Sequence, residues 1–80
     1  MQELFKELRK KQGLTTKFAS KKLDISISAL YKIEQYQYLP SMSILLKMKD
    51  LYKCSYEEIM KSYEFARGVY DERKNRKHNK

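Results

Sequence analysis

The residues Thr15, Thr16 and Lys17 are the first in the chain whose types and spacing suit a defined chemistry. They stand at the start of a predicted helix, where backbone N–H groups have no partner within the helix and the helix dipole is positive. Two hydroxyls, an ammonium group and these amides together suit a phosphate. Non-specific attraction would come from the nearby Lys10, Lys11, Lys21 and Lys22.

The sequence offers little for catalysis or metal binding. It has no paired carboxylates, Cys–His pair, glycine-rich phosphate loop or metal-ligand spacing. The single cysteine, Cys54, cannot form an internal disulfide, and we expect a buried core thiol in a reducing cytosol. His78 stands alone in a charged segment. We therefore expect neither an enzyme nor a bound cofactor or metal.

The charge is large and unevenly distributed. The 80 residues carry a net charge of +8, which favours a polyanionic partner such as nucleic acid or an acidic membrane surface. Residues 1–53 contain 11 basic and 5 acidic residues, 54–72 contain 2 and 5, and 73–80 contain 5 and none. With no apolar run of about 18 residues and no secretory signal, a soluble cytoplasmic protein is expected.

Helical periodicity and few breakers predict an all-α domain. Glycine occurs only at 13 and 68 and proline only at 40. Four helices are predicted over about 2–12, 16–23, 27–35 and 41–52, and a fifth follows Ser55 and continues to about residue 74. Thr15, Ser26, Ser41 and Ser55 suit the N-caps. Met42, Leu45, Met48 and Tyr52 are predicted to face inward from the fourth helix.

The stretch GLTTKFASKKLDISISALYKIE, residues 13–34, carries a resemblance to a known family. It is similar, without a gap, to the pattern G-L-S-Q-x-x-L-A-x-x-L-G-V-S-x-x-x-I-x-x-I-E of the phage repressor/Cro-type helix-turn-helix (XRE) family. The register continues through Pro40 and Ser41 to CSYEEI at 54–59, so the resemblance covers about residues 4–60. It implies a five-helix repressor-like domain that binds double-stranded DNA, with the third helix in the major groove.

The resemblance also implies the contact residues. Ile27, Ser28 and Lys32 occupy the base-reading positions, with Tyr31 beside them, and Thr16 stands where the family often has a phosphate-binding glutamine. Lys32 can donate to guanine, Ile27 can pack on a thymine methyl group, and Ser28 suits almost any base edge. Because no bidentate Arg, Asn or Gln is present there, we expect modest base discrimination.

Two further positions take their meaning from the resemblance. Arg9 and Glu34 match a structural pair that holds the reading helix at a fixed angle. Tyr36 stands where the family usually has glycine, because the chain leaves the helix with positive φ. The family grips the DNA backbone with this loop, so Gln37 and Tyr38 are candidate phosphate ligands. The alternative is that one tyrosine packs onto the helix pair.

Beyond residue 60 the helical pattern continues with an apolar stripe, formed by Ile59, Tyr63, Phe65, Ala66, Val69 and Tyr70. The stripe either enlarges the core or pairs with a second copy or another protein, and we favour the second use. The sequence is thus divided into a DNA-binding domain at 1–60, a helical extension at 61–74 and a disordered basic tail at 75–80.

The favoured function is a sequence-specific transcriptional regulator, a repressor by its resemblance, that binds an operator as a homodimer. The alternative is a protein-interaction module on the same fold, antitoxin-like or anti-repressor, acting through the C-terminal helix. RNA and membrane binding are disfavoured, because stacking platforms and a strongly apolar exposed helix are both missing. No motif in the sequence indicates the operator, the regulated genes or the direction of regulation.

Overall fold

The protein consists of five α-helices in the computed structural model, which describes the backbone of residues 4–78 and the side chains of residues 4–74. The helices are α1 (Phe5–Lys11), α2 (Thr16–Leu23), α3 (Ile27–Glu34), α4 (Met42–Leu51) and α5 (Tyr56–His78). No strand occurs within the described residues. The predicted all-α class and the positions of all five helices are confirmed; the predicted start of α1 at residue 2 lies outside the described residues.

Serine and threonine caps set where four helices begin. The hydroxyl oxygens of Thr15, Ser26 and Ser41 accept hydrogen bonds from backbone N–H groups three residues on, at 3.0–3.3 Å. Ser55 does the same for Glu58 N at 3.1 Å, and Glu58 Oε1 in return accepts from Ser55 N at 2.9 Å. This reciprocal pair is a capping box, and its hydrogen bonds hold the pKa of Glu58 below its ordinary value. Local sequence therefore determines these boundaries.

The hydrophobic core draws on every helix. Its members are Phe5, Leu8, Ala19, Leu23, Leu30, Ile33, Leu45, Met48, Tyr52, Ile59 and Ala66. Helices α2 and α3 pack against each other, α4 covers α2, and α5 lies against both α1 and α4. Cys54, predicted to be buried, is half-buried against this core.

One core prediction is wrong. Met42 was expected to face inward, yet 59% of it is exposed. It is the first residue of α4, and the buried Pro40 lies two residues before it. The inward face of α4 therefore starts with the partly buried Ile44 and the buried Leu45.

The apolar stripe of α5 divides between the core and the surface. Ile59 and Ala66 are fully buried within the chain's own core, so they cannot form a surface for a partner, contrary to the favoured use of the stripe. Helical geometry explains this, because these residues lie seven apart on one face, and that face packs on α1 and α4. Tyr63, Val69 and Tyr70 are half-buried, and Phe65 is exposed.

Helix α5 is also longer than predicted. Its backbone stays helical to His78, whereas residues 75–80 were expected to be disordered; residues 79 and 80 lie outside the described residues. Ion pairs of Lys61 with Glu57 and of Arg67 with Asp71, at i and i+4, support the exposed side. Arg73 is fixed by a contact with the end of α3, described below. The helix is therefore anchored close to its C-terminal end.

The Tyr52 hydroxyl gives a stability prediction. Tyr52 is buried, and its Oη has no hydrogen-bond partner within the described residues. Burial raises the pKa of this phenol, and the nearby Glu34 charge adds to the effect. Tyr52→Phe removes an unsatisfied buried hydroxyl and keeps the ring, so we expect a gain of about 1–2 kcal/mol in the free energy of unfolding.

Thermal unfolding followed by circular dichroism measures this effect. Tyr56→Phe is the matched control. Tyr56 is exposed, so the melting temperature of this variant should equal that of the wild type. A lower melting temperature for Tyr52→Phe would show instead that the hydroxyl interacts favourably with the Glu34 carboxylate.

Candidate nucleic-acid interface

Helix α3 has one buried face and one open face. Leu30, Ile33 and Glu34 are buried. On the other side, Ile27 is 47% and Tyr31 56% exposed, and Ser28 between them is exposed as well. Ile27 and Ser28 open the helix, whose N-terminal half is the part that a helix-turn-helix protein presents to base edges, and Tyr31 follows one turn after Ile27 on the same side. The structure therefore brings three of the four predicted base-reading residues together on the surface.

The fourth, Lys32, lies differently. It is half-buried, and its Nζ lies 5.3 Å from the centroid of the Tyr38 ring, within the range of a cation–π interaction. Tyr38 is half exposed in the loop after α3. The two predicted contact residues thus come together, and the ammonium group is held at the boundary between α3 and this loop.

The start of α2 has the predicted arrangement of polar groups. The Thr15 hydroxyl caps the helix through Phe18 N, Lys17 is exposed, and Thr16 is half-buried. At the other end of α2, Lys21 and Lys22 are exposed. Both ends of the helix that precedes α3 therefore carry accessible positive charge, which suits a DNA backbone.

A buried ion pair fixes α3 from behind. Arg9 Nε donates to Glu34 Oε2 at 2.8 Å and Nη2 donates to Oε1 at 3.2 Å, in a bidentate arrangement. Arg9 is 6% and Glu34 7% exposed. The hydrogen bonds to Glu34 raise the pKa of Arg9 above its ordinary value. The pair therefore ties the last residue of α3 to α1.

The same guanidinium reaches a third part of the chain. Arg9 Nη1 donates to the backbone carbonyl of Leu14 at 2.7 Å. Leu14 directly precedes the cap of α2, where the candidate phosphate ligands begin. A single arginine thus fixes the end of α3 relative to the start of α2, so the two predicted DNA-contacting regions form one rigid unit.

The turn after α3 explains why tyrosine is tolerated in place of glycine. Tyr36 has a φ of +64°, as the resemblance implied. Tyr36 N donates to Ile33 O at 3.1 Å and Gln37 N to Lys32 O at 2.8 Å, which is the hydrogen-bond pattern of a Schellman C-cap. The Tyr36 ring meets the Phe65 ring edge-to-face, with the centroids 5.7 Å apart. Packing on α5 offsets the backbone strain.

Sequence reasoning missed two residues that support this loop. Phe65 was assigned to a partner surface, and Arg73 was counted with the basic residues at the C-terminal end, which were expected to fray into solvent or to touch flanking phosphate. Arg73 Nη1 donates to the carbonyl of Gln35, the C-cap residue of α3, at 2.9 Å. The available signal was indirect: a tyrosine at a glycine position, together with a helix longer than the family pattern.

A double-mutant cycle tests the support from Phe65. Glycine adopts positive φ freely, so Tyr36→Gly should relieve strain of about 1 kcal/mol. In the wild-type chain it also removes an aromatic contact of about 0.5–1.5 kcal/mol, so the gain should be cancelled or reversed. In a Phe65→Ala background this aromatic contact is already absent, so we expect Tyr36→Gly to shift the melting temperature upward relative to its effect in the wild-type chain. An equal shift in both backgrounds would show that the two rings are not coupled.

Two polar residues, Ser20 on α2 and Lys49 on α4, lie on helices that pack into the core. Ser20 is buried, and its hydroxyl donates to Lys17 O at 2.9 Å. Lys49 extends outward, with Nζ 3.2 Å from Asp50 Oδ1 and 4.5 Å from the centre of the Tyr56 ring. The Lys49 charge is therefore paired with a carboxylate and lies over an aromatic ring.

Comparison with known proteins decides the family. A family model described as helix-turn-helix matches residues 5–59, well over half of the chain. The chain belongs to this helix-turn-helix family. The XRE-type resemblance is therefore confirmed, and it makes the chain a DNA-binding regulator at the general level. No curated protein and no solved structure gives a significant match.

The helix-turn-helix match ends four residues into α5. The part of α5 that supports the Tyr36 turn thus lies outside the family core. Within the described residues, no His, Cys, Asp and Glu side chains are grouped as a metal site would require. None of the described helices has both the length and the apolar character to cross a bilayer.

Proposed function

We propose that this helix-turn-helix protein is a sequence-specific transcriptional regulator, acting in the cytoplasm, that reads an operator through α3. The exposed surface of Ile27, Ser28 and Tyr31 carries the proposal. A helix that is half buried in the core and held by a bidentate ion pair presents this surface rigidly. Preorganisation of this kind reduces the entropic cost of binding.

The contacts divide by chemistry. Ile27, Ser28, Tyr31 and Lys32 would contact base edges, and Thr15, Thr16, Lys17, Gln37 and Tyr38 would contact phosphates. A thymine methyl group suits Ile27, and Ser28 donates to or accepts from most base edges. Because Lys32 lies against Tyr38, its ammonium group is best placed for the edge of the groove. Base discrimination would be modest, and phosphate contacts would supply much of the affinity.

Dimeric binding is the finer part of the proposal. Small regulators of this architecture meet two-fold operators, with half-sites about one helical turn apart. Of the apolar stripe on α5, Phe65 is exposed and Tyr63, Val69 and Tyr70 are half-buried, so these residues are what remains for a second copy. The surface is small, so we expect weak association that DNA stabilises.

The alternative is a protein-interaction module on the same fold. It is favoured by the absence of Arg, Asn and Gln from the reading positions and by the exposed Phe65. Such a protein would use α5 for its main contact and bind DNA weakly and without sequence preference.

Selection of binding sites from random duplex DNA at moderate salt separates these functions. An enriched inverted repeat is expected for a dimeric regulator, and an enriched single half-site for a monomeric one. DNA binding with no enriched sequence would favour the interaction module, and failure to bind any duplex would contradict DNA regulation altogether.

A further inference from the structure

The loop after α3 has no backbone donor left for a ligand. All three backbone N–H groups of segment 36–38 donate to carbonyls in the last turn of α3, at 2.8–3.3 Å. A phosphate contact from this loop must therefore come from side chains, and those of Gln37 and Tyr38 are both exposed. The direction of these two side chains depends on how firmly the turn before them is held.

The turn is held from a second side by α5, beyond residues 5–59 that the family model matches. The Arg73 guanidinium donates to the carbonyl of Gln35 at 2.9 Å, and the Phe65 ring meets the Tyr36 ring edge-to-face. Burial raises the pKa of the Tyr36 phenol; the Glu7 carboxylate adds to this effect and Arg73 opposes it, so the hydroxyl lies among charges from α1 and α5. Helix α5 thus contacts both residues that lead into the loop.

The conformation of Tyr36 makes this support necessary. Its φ of +64° is one that a residue other than glycine seldom adopts, at a cost that the surrounding structure must offset. Without the contacts from α5, other conformations of the turn become accessible, and the side chains of Gln37 and Tyr38 lose their fixed direction. A site that is formed only part of the time binds more weakly in proportion to that fraction.

We propose that Phe65 and Arg73 are positioning residues for DNA binding, which hold the turn so that Gln37 and Tyr38 direct their donors at a backbone phosphate. This inference rests on the proposed function, because that function puts these two side chains on the DNA. The two positioning residues do not themselves contact the duplex, since both are committed to the turn. The part of α5 beyond the family core therefore acts on DNA affinity through the loop.

A double-mutant cycle on DNA affinity tests this role in the full chain. The support variant is Phe65→Ala/Arg73→Gln. The loop variant, Gln37→Ala/Tyr38→Phe, removes both proposed phosphate donors and keeps the aromatic ring under Lys32. Each variant and their combination are bound to a random-sequence duplex and to the selected site. Fluorescence anisotropy measures the affinity from about 50 to 200 mM salt, well below the melting temperatures.

Val69→Ala/Arg67→Gln is the matched control for the support variant. It also removes one apolar side chain and one charge from α5, and the Arg67 guanidinium pairs with Asp71 within that helix. Val69 belongs to the surface proposed for a second copy, so this control separates positioning from dimerisation. If the support variant is not folded by circular dichroism, Arg73→Gln alone replaces it, because Arg73 is exposed, and Arg67→Gln alone is then its control.

With the wild-type loop, the support variant should bind about three- to tenfold more weakly, a loss of the order that one aromatic pair allows. In the loop variant the same two substitutions should cost less than about twofold, since no phosphate donor is left to be displaced. The support variant and its control should share one slope of log K against log salt, because the neutral Gln37 and Tyr38 contacts release no counterions.

An equal loss in both loop backgrounds would overturn the proposal, because α5 would then act directly on DNA or through dimerisation. Wild-type affinity in either the support variant or the loop variant would overturn it as well. A slope shallower by about 0.9 in the support variant than in its control would place Arg73 on a phosphate, which also contradicts a positioning role.

Failure of the proposed function gives a different result. If selection enriches no site but the cycle still shows coupling on the random duplex, sequence-specific regulation fails and the positioning role stands. If a site is enriched and the two sets of substitutions are additive, the regulator stands and the positioning role fails.

Discussion

Arg9→Ala is expected to lower the free energy of unfolding by about 3–5 kcal/mol and to weaken DNA binding with it. The substitution leaves the Glu34 carboxylate buried without its bidentate partner and the Leu14 carbonyl without its side-chain donor. Breaking one side of a buried pair costs about 3–5 kcal/mol. Small domains have only about 5–15 kcal/mol in total, so the melting temperature should fall by more than about 12 °C.

Thermal unfolding and DNA binding measured on the same samples check this result. Lys10→Ala is the control, because Lys10 is the exposed neighbour of Arg9 and its removal should change stability by less than about 0.5 kcal/mol. Replacing both partners, as Arg9→Met with Glu34→Leu, should recover most of the stability, since no charge is then left buried. If Arg9→Ala keeps the wild-type melting temperature, the ion pair does not hold α3.

Ser28→Glu should have the second largest effect, and it should separate binding from stability. Ser28 is exposed at the second position of α3, behind the Ser26 cap. A carboxylate there interacts favourably with the positive end of the helix dipole, by about 0.3–1 kcal/mol. Against DNA the same carboxylate faces phosphates and base acceptors, and like-charge juxtaposition costs several kcal/mol. We expect an unchanged or slightly higher melting temperature and a loss of affinity of about 100-fold or more.

Lys61→Gln is the control for net charge, because it lowers the charge of the protein by the same one unit on α5. It should weaken binding only slightly. Ser28→Ala should have an intermediate effect, restricted to discrimination at one base pair. Wild-type affinity in Ser28→Glu would place the duplex on another surface and contradict the reading role of α3.

Local signals in the sequence account for most of the fold. Thr15, Ser26, Ser41 and Ser55 each cap a helix through a hydrogen bond to a residue three positions on. A Ser or Thr directly before a helical pattern is therefore enough to predict the cap. Residue type also favours the left-handed conformations of Gly13 and Asp24, but not the one of Lys53. Lysine gives no local indication of positive φ.

The positions of the site residues could be predicted from the sequence to different degrees. The exposed stripe of Ile27, Ser28 and Tyr31 follows from helical register and from the family resemblance. The pairing of Arg9 with Glu34 came from the resemblance alone, because nothing local links residues 25 apart. That Lys32 would lie over the Tyr38 ring was not foreseen, since it depends on the path of the loop after α3.

The sequence by itself determined the five helices, their caps and the family to which the chain belongs. Only the tertiary structure decided which face of α5 is buried, that Phe65 supports the strained Tyr36 turn, and that Arg73 anchors the helix at Gln35. The physical reason is the distance along the sequence between the interacting residues. Caps and helical periodicity are set by neighbours within one turn, whereas these contacts depend on how α5 packs against α1 and α4 and on where its last turns meet the end of α3.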